Sequence, residues 1–81
     1  MRPSVVLDAG RQHAGMSLAD LWIAYVGVGG SATAPEMGAL LAGTIEMSRF
    51  EYDMVAQAIN DRFVEDSRDH PVPYFDDLVA S

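Results

Sequence analysis

The sequence has no cysteine, no lysine and only two histidines, His13 and His70. Without cysteine, no disulfide can brace so small a chain. With two histidines as its only nitrogen ligands, a structural zinc site is not expected, and no residue pattern calls for a cofactor. The basic side chains are five arginines, Arg2, Arg11, Arg49, Arg62 and Arg68, set against twelve acids for a net charge of −7. From Met16 onward there are eleven acids and three arginines, a local balance of −8. Such a surface repels phosphate backbones and anionic lipids, so nucleic acid is not an expected partner; a basic protein is a better match. No apolar run approaches the roughly 20 residues that span a bilayer, so no membrane association is expected. The apolar stretch Val5–Leu7 is too short for a signal-peptide core, and with the missing cysteine it points to a cytoplasmic protein.

The chain has 81 residues, 49% of them hydrophobic. That is enough for one folded domain and too little for two. A chain of this size buries roughly 60% of its unfolded surface, so it needs tight helix packing or association, and a homodimer is one way to supply it.

A helix-start pattern occurs three times. Ser17-Leu18-Ala19-Asp20, Thr33-Ala34-Pro35-Glu36 and Ser48-Arg49-Phe50-Glu51 each set a hydroxyl three residues before an acid. The hydroxyl caps a free backbone N–H, and the acid reaches back to the cap residue and meets the positive end of the helix dipole. A hydrophobic staple is available at each start: Met16 with Leu21, Ala32 with Met37, Met47 with Tyr52. Apolar spacing agrees with the caps. Leu18, Leu21, Trp22 and Tyr25 form one stripe, Met37, Leu40 and Leu41 a second with Ile45 just beyond, and Tyr52, Val55, Ala56, Ile59 and Phe63 a third. Opposite the third stripe lie Asp53, Gln57, Asn60, Asp61 and Glu65. Gly27, Gly29 and Gly30 end the first helix, Gly43 the second, and Pro71 follows the third. These signals predict helices at about 18–27, 34–43 and 49–67. Only the cap pattern recurs, so a repeat array is not expected.

The ends read differently. Residues 1–15 hold one short β-prone run, Ser4–Leu7, and read as a mobile leader or a lone strand. Residues 70–81 carry Pro71 and Pro73, which favour an extended chain, then Tyr74, Phe75, Leu78 and Val79 among Asp76 and Asp77. This segment either folds back over an undersized core or docks in a groove on another protein.

Catalytic chemistry finds little footing. Ser67, Asp69 and His70 are neighbours in sequence, which is not triad geometry. Asp61, Glu65, Asp66 and Asp69 crowd one helix end beside Arg62 and Arg68, as a solvated acidic face does; they lack the alternating ligand loop of a calcium site. Gly27-Val28-Gly29-Gly30-Ser31 follows a predicted helix and has no lysine after it, so it reads as a flexible helix connection and not a phosphate loop. The second and third helices have the order of a helix-turn-helix, but the reader would present Glu51 and Asp53 to phosphates.

The run Leu18-Ala19-Asp20-Leu21-Trp22, then Gly29-Gly30, Asn60 and His70-Pro71-Val72-Pro73-Tyr74, resembles small helical proteins of actinobacteria over about two thirds of the chain. That resemblance implies a bacterial cytoplasmic protein and carries no functional residue across.

The expectation is an all-α, three-helix domain over residues 16–69, with extended tails at 1–15 and 70–81. The expected role is that of a non-enzymatic, protein-binding regulatory or adaptor domain using an apolar patch with an acidic rim. Trp22, Tyr25, Tyr74, Phe75, Asp76 and Asp77 are the candidate contact residues, since aromatics supply much of interface energy. Trp22 fits the core equally well. The alternative is a DNA-binding regulator that reads with helix 49–67.

Overall fold

Helix starts are set by which side chain can take the first free N–H groups. In this computed structural model, residues 2–66 and 72–80 are described, with backbone alone for Asp77, Val79 and Ala80. Ser17 opens α2 (Leu18–Gly27) and Thr33 opens α3 (Ala34–Ala42), each with a complete reciprocal capping box to Asp20 or Glu36. The cap bonds are 3.0–3.1 Å at Ser17 and Asp20 and 2.8–3.3 Å at Thr33 and Glu36. Ser48 opens α4 (Arg49–Glu65) by accepting the Glu51 N–H at 3.0 Å. Here the box stays half-made, because the Glu51 carboxylate turns away to the Tyr25 hydroxyl. The predicted helices at 18–27, 34–43 and 49–67 therefore hold to within two residues of their described ends. The residues expected to fray the third helix, 67–69, lie outside the described residues, as does His70.

The N-terminal expectation needs correction. Residues Pro3–His13 form a helix, α1, and not a leader or strand. Pro3 sits in its first turn, where a missing N–H costs nothing. Asp8 accepts from Arg11 Nε at 2.9 Å and from Gln12 Nε2 at 3.0 Å, at helical spacings of three and four. Leu7, Gly10 and Ala14 turn inward one above another. The C-terminal expectation is corrected too. Residues 72–74 are irregular, and Phe75–Ala80 form a short helix, α5. The all-α class stands, with no strand among the described residues, but the three-helix count and both extended tails do not.

Helix α1 packs on α3 and α4, and α2 packs on the same two, so the four longer helices close a ring. The short dimension of the 32 × 30 × 20 Å envelope is two helix diameters, which makes the ring two layers deep. Every wall feeds the core: Leu7 from α1, Leu21 and Tyr25 from α2, Met37 from α3, and Tyr52, Val55, Ile59 and Phe63 from α4. Half of those large buried side chains come from α4, which is the spine of the molecule. Asn60, expected on the polar face of that helix, is buried at 4% exposure. Its amide group meets the returning C-terminal segment, and α5 lies against α4 beyond it.

Candidate partner-binding surface

The two aromatic residues of α2 hold the loop that follows it. Trp22 is partly buried and its Nε1 donates to the Ala32 carbonyl at 2.9 Å. Tyr25 is fully buried; its hydroxyl donates to Glu51 and accepts the N–H groups of Ser31 at 3.1 Å and Ala32 at 2.9 Å. A phenol has one proton and two lone pairs, so this hydroxyl is saturated. Burial, and then the hydrogen bond and charge of Glu51, push its pKa above the ordinary phenol value. Gly30 lies on the ring so closely that an added Cβ would overlap Tyr25. Of the glycine run, Gly30 alone is required by close approach to the aromatic ring. Tyr25, expected as a surface contact, is interior: a side chain at 0% exposure cannot meet a partner.

The tail candidates engage the chain's own α4. Val72 gives its N–H to Asn60 Oδ1 at 3.1 Å and takes Asn60 Nδ2 on its carbonyl at 2.9 Å. Tyr52 donates to the Pro73 carbonyl at 2.7 Å, and the Phe75 N–H donates to Asp53 at 2.8 Å. The Phe75 ring stands edge-on to Tyr52 at 5.8 Å and lies under the Arg49 guanidinium at 5.4 Å. Asp76 pairs with Arg49, an exposed pair of small energetic worth. Tyr74 keeps 39% of its surface exposed. The side chain of Asp77 lies outside the described residues.

Phe50 at 71% and Val64 at 57% are exposed far apart along α4, whereas the outward face of α2 gathers three exposed aliphatic side chains on one short helix. This ten-residue helix has a single charge, Asp20, and its carboxylate already caps the helix start. The Ser17 backbone N–H, followed by the Ser17 hydroxyl, holds the Asp20 pKa below the usual carboxylate range. Leu21 and Tyr25 turn in, while Leu18, Ile23 and Val26 stay 45, 64 and 44% exposed and Ala19 is exposed beside them. Positions 19, 23 and 26 form an outward strip, with 18 and 22 along one edge. A helix apolar on every side is ordinarily covered on every side. Arg62, which pairs with Asp66 at 3.8 Å, also acts weakly on Asp20, so the charge that the end of α4 presents to the start of α2 is a cation. The sequence pattern predicts a single stripe of Leu18, Leu21, Trp22 and Tyr25 and does not single out Ile23 or Val26; the signal available for them is that one acid in ten residues cannot make a polar face. Asn60 gave no such signal, for its spacing put it among solvated residues.

A cleft of about 300 Å³ lies on another side, with Glu36, Glu46 and Glu51 around Leu40 and Ile45. Two of these acids have structural duties: Glu36 accepts the Thr33 N–H, a bond that also lowers its pKa, and Glu51 holds Tyr25. No family model, curated protein or solved structure matches the chain. Among the described residues no helix is long and apolar enough to cross a membrane.

Proposed function

We propose that this chain is a non-enzymatic, protein-binding domain of regulatory or adaptor type, and that the outward face of α2 is its contact surface. The observation that supports this is Ile23 at 64% exposure, flanked by Leu18 and Val26, on a helix whose one charge is committed to a cap. Covering an exposed isoleucine or leucine contributes about 1.5–3 kcal/mol when burial is complete, so the strip favours association. Trp22 lies at its edge and supplies an aromatic anchor of the kind that dominates interface energy. The net charge of −7 suits a basic partner and quickens encounter at low salt. A cytoplasmic setting, read from the absent cysteine, belongs to the same proposal.

The DNA-reader alternative has α4 projecting into a groove. In this fold α4 is the spine, with Tyr52, Val55, Ile59 and Phe63 all turned inward. Of its two arginines, Arg49 pairs with Asp76 and Arg62 with Asp66. No observation favours that reading.

The test is paired affinity capture with full-length wild type, Ile23→Asp and Phe75→Ala chains from the source cells. A partner retained by wild type and Phe75→Ala and lost by Ile23→Asp supports the reading. A partner retained by Ile23→Asp and lost by Phe75→Ala contradicts it.

A further inference from the structure

The bonds between α4 and residues 72–76 have the anatomy of a peptide-recognition groove. Four main-chain groups of Val72, Pro73 and Phe75 are each taken by a side chain of α4: both Val72 groups by Asn60, the Pro73 carbonyl by Tyr52 and the Phe75 N–H by Asp53. Main-chain capture of this sort accepts any extended segment, and flanking pockets then select its side chains. Two such pockets are present. Val72 is buried in a notch on α1 that exists because residue 10 is glycine; a Cβ there would stand 2.6 Å from Val72 Cγ2. Phe75 lies between the edge of Tyr52 and Arg49, and Arg49 also takes the next residue, Asp76. Asn60 runs to Arg49 along α4 as Val72 runs to Asp76 along the segment, so the two lie antiparallel. The groove thus reads Val-any-any-aromatic-acid.

Apart from the tyrosines, Asn60 is the one buried polar side chain among the described residues, and both ends of its amide are devoted to Val72. Emptying the groove takes both of these bonds from Asn60 and both from Val72. Every group that reads the segment belongs to α1 or α4, so the site does not depend on the segment being attached to the same chain. We infer that the groove is an exchangeable site, and that its occupant in trans is the Val72–Asp76 segment of a second copy, giving a segment-swapped dimer. Exchange of an identical element needs no new interface chemistry. In a single wild-type chain, the attached segment competes at an effective concentration in the millimolar range, so the closed form dominates in dilute solution.

Two full-length variants separate groove from segment. Gly10→Val fills the notch and leaves the segment intact. Val72→Asp spoils the segment and leaves the groove intact. Mixed in equal amounts and sized by light scattering, the two are expected to form a one-to-one complex of twice the single-chain mass, while each alone stays single. Adding Asn60→Ala to the Val72→Asp chain is expected to abolish the complex. If both variants are helical by circular dichroism and their mixture keeps the single-chain mass, the inference is overturned. If either fails to fold, the wild-type chain decides. A synthetic unlabelled peptide of residues 72–80, titrated to about 10 mM against the attached segment of an isotope-labelled chain, is expected to give intermolecular contacts (NOEs) from its Val72 to the Asn60 side-chain amide of the labelled chain. No such contacts over that range overturn the inference.

Discussion

Helix α2 and the segment 72–80 are alike in composition and opposite in fate. Each mixes aromatic and aliphatic residues with one or two acids, and in sequence each passes for a docking element. The segment enters the fold because α4 captures its main chain: Asn60, Tyr52 and Asp53 bind Val72, Pro73 and Phe75, and the side chains follow. Helix α2 satisfies its own main chain internally, so nothing draws its outer side chains in. It buries Leu21 and Tyr25 and leaves Ile23 and Val26 outside. The difference teaches that apolar residues in irregular backbone are pulled inward by the hydrogen-bonding needs of that backbone, whereas a capped helix can hold apolar residues in water.

The strongest way to break this comparison is to remove the capture. Asn60→Ala leaves the Val72 N–H and carbonyl without partners, and Val72 is buried. A loss of about 3 kcal/mol is expected in urea denaturation at neutral pH. A loss below about 0.5 kcal/mol would mean that side-chain burial alone holds the segment.

Tyr25→Phe tests the other anchor. It keeps the ring and removes a hydroxyl that serves Glu51, Ser31 and Ala32, for an expected loss of about 1–2 kcal/mol. The folded pKa of Tyr25 lies above its unfolded value near 10. The neutral phenol's contribution is thus complete below pH 10 and is lost as pH rises through the folded pKa. Urea midpoints from pH 7 to 11 are expected to fall more steeply at the alkaline end for wild type than for Tyr25→Phe. Equal slopes would contradict the buried phenol.

The capping acids sharpen the comparison at the opposite pH and with a smaller effect. Asp20 and Glu36 have folded pKa values lowered chiefly by the backbone N–H groups of Ser17 and Thr33. Their contribution is present above the unfolded carboxylate range and is lost as pH falls through the folded values. Helicity between pH 6 and 2 is expected to fall further in wild type than in an Asp20→Asn, Glu36→Gln chain. The smallest stability change belongs to Ile23→Asp, expected within about 0.5 kcal/mol of wild type because the side chain already faces water.

How much of this was legible in the sequence follows the range of each interaction. The starts at Ser17, Thr33 and Ser48 were readable because a cap acts over three residues. The diversion of Glu51 was not, because its partner Tyr25 is 26 residues away. Helix α1 was hidden by Val5, Val6 and Leu7, which suit a strand, and by Gly10, which weakens a helix by about 1 kcal/mol. Its signals were Pro3 in the first turn and the Asp8–Arg11 pair, and the reason for Gly10 lies 62 positions on, at Val72. Of the six candidate contacts, Tyr25 is interior and Phe75 and Asp76 are engaged by α4, whereas Trp22 borders the open strip. Helical spacing places side chains on a face, and it cannot say which of two apolar faces another element will cover.

The most direct measurement is site-specific photo-crosslinking on the full chain in its source cells. A photoreactive side chain is placed at Ile23 on the outward face of α2, or at Tyr74 on the exposed side of the docked segment. A discrete protein adduct from position 23 and none from position 74 is the result this account predicts. Adducts from position 74 alone would contradict it.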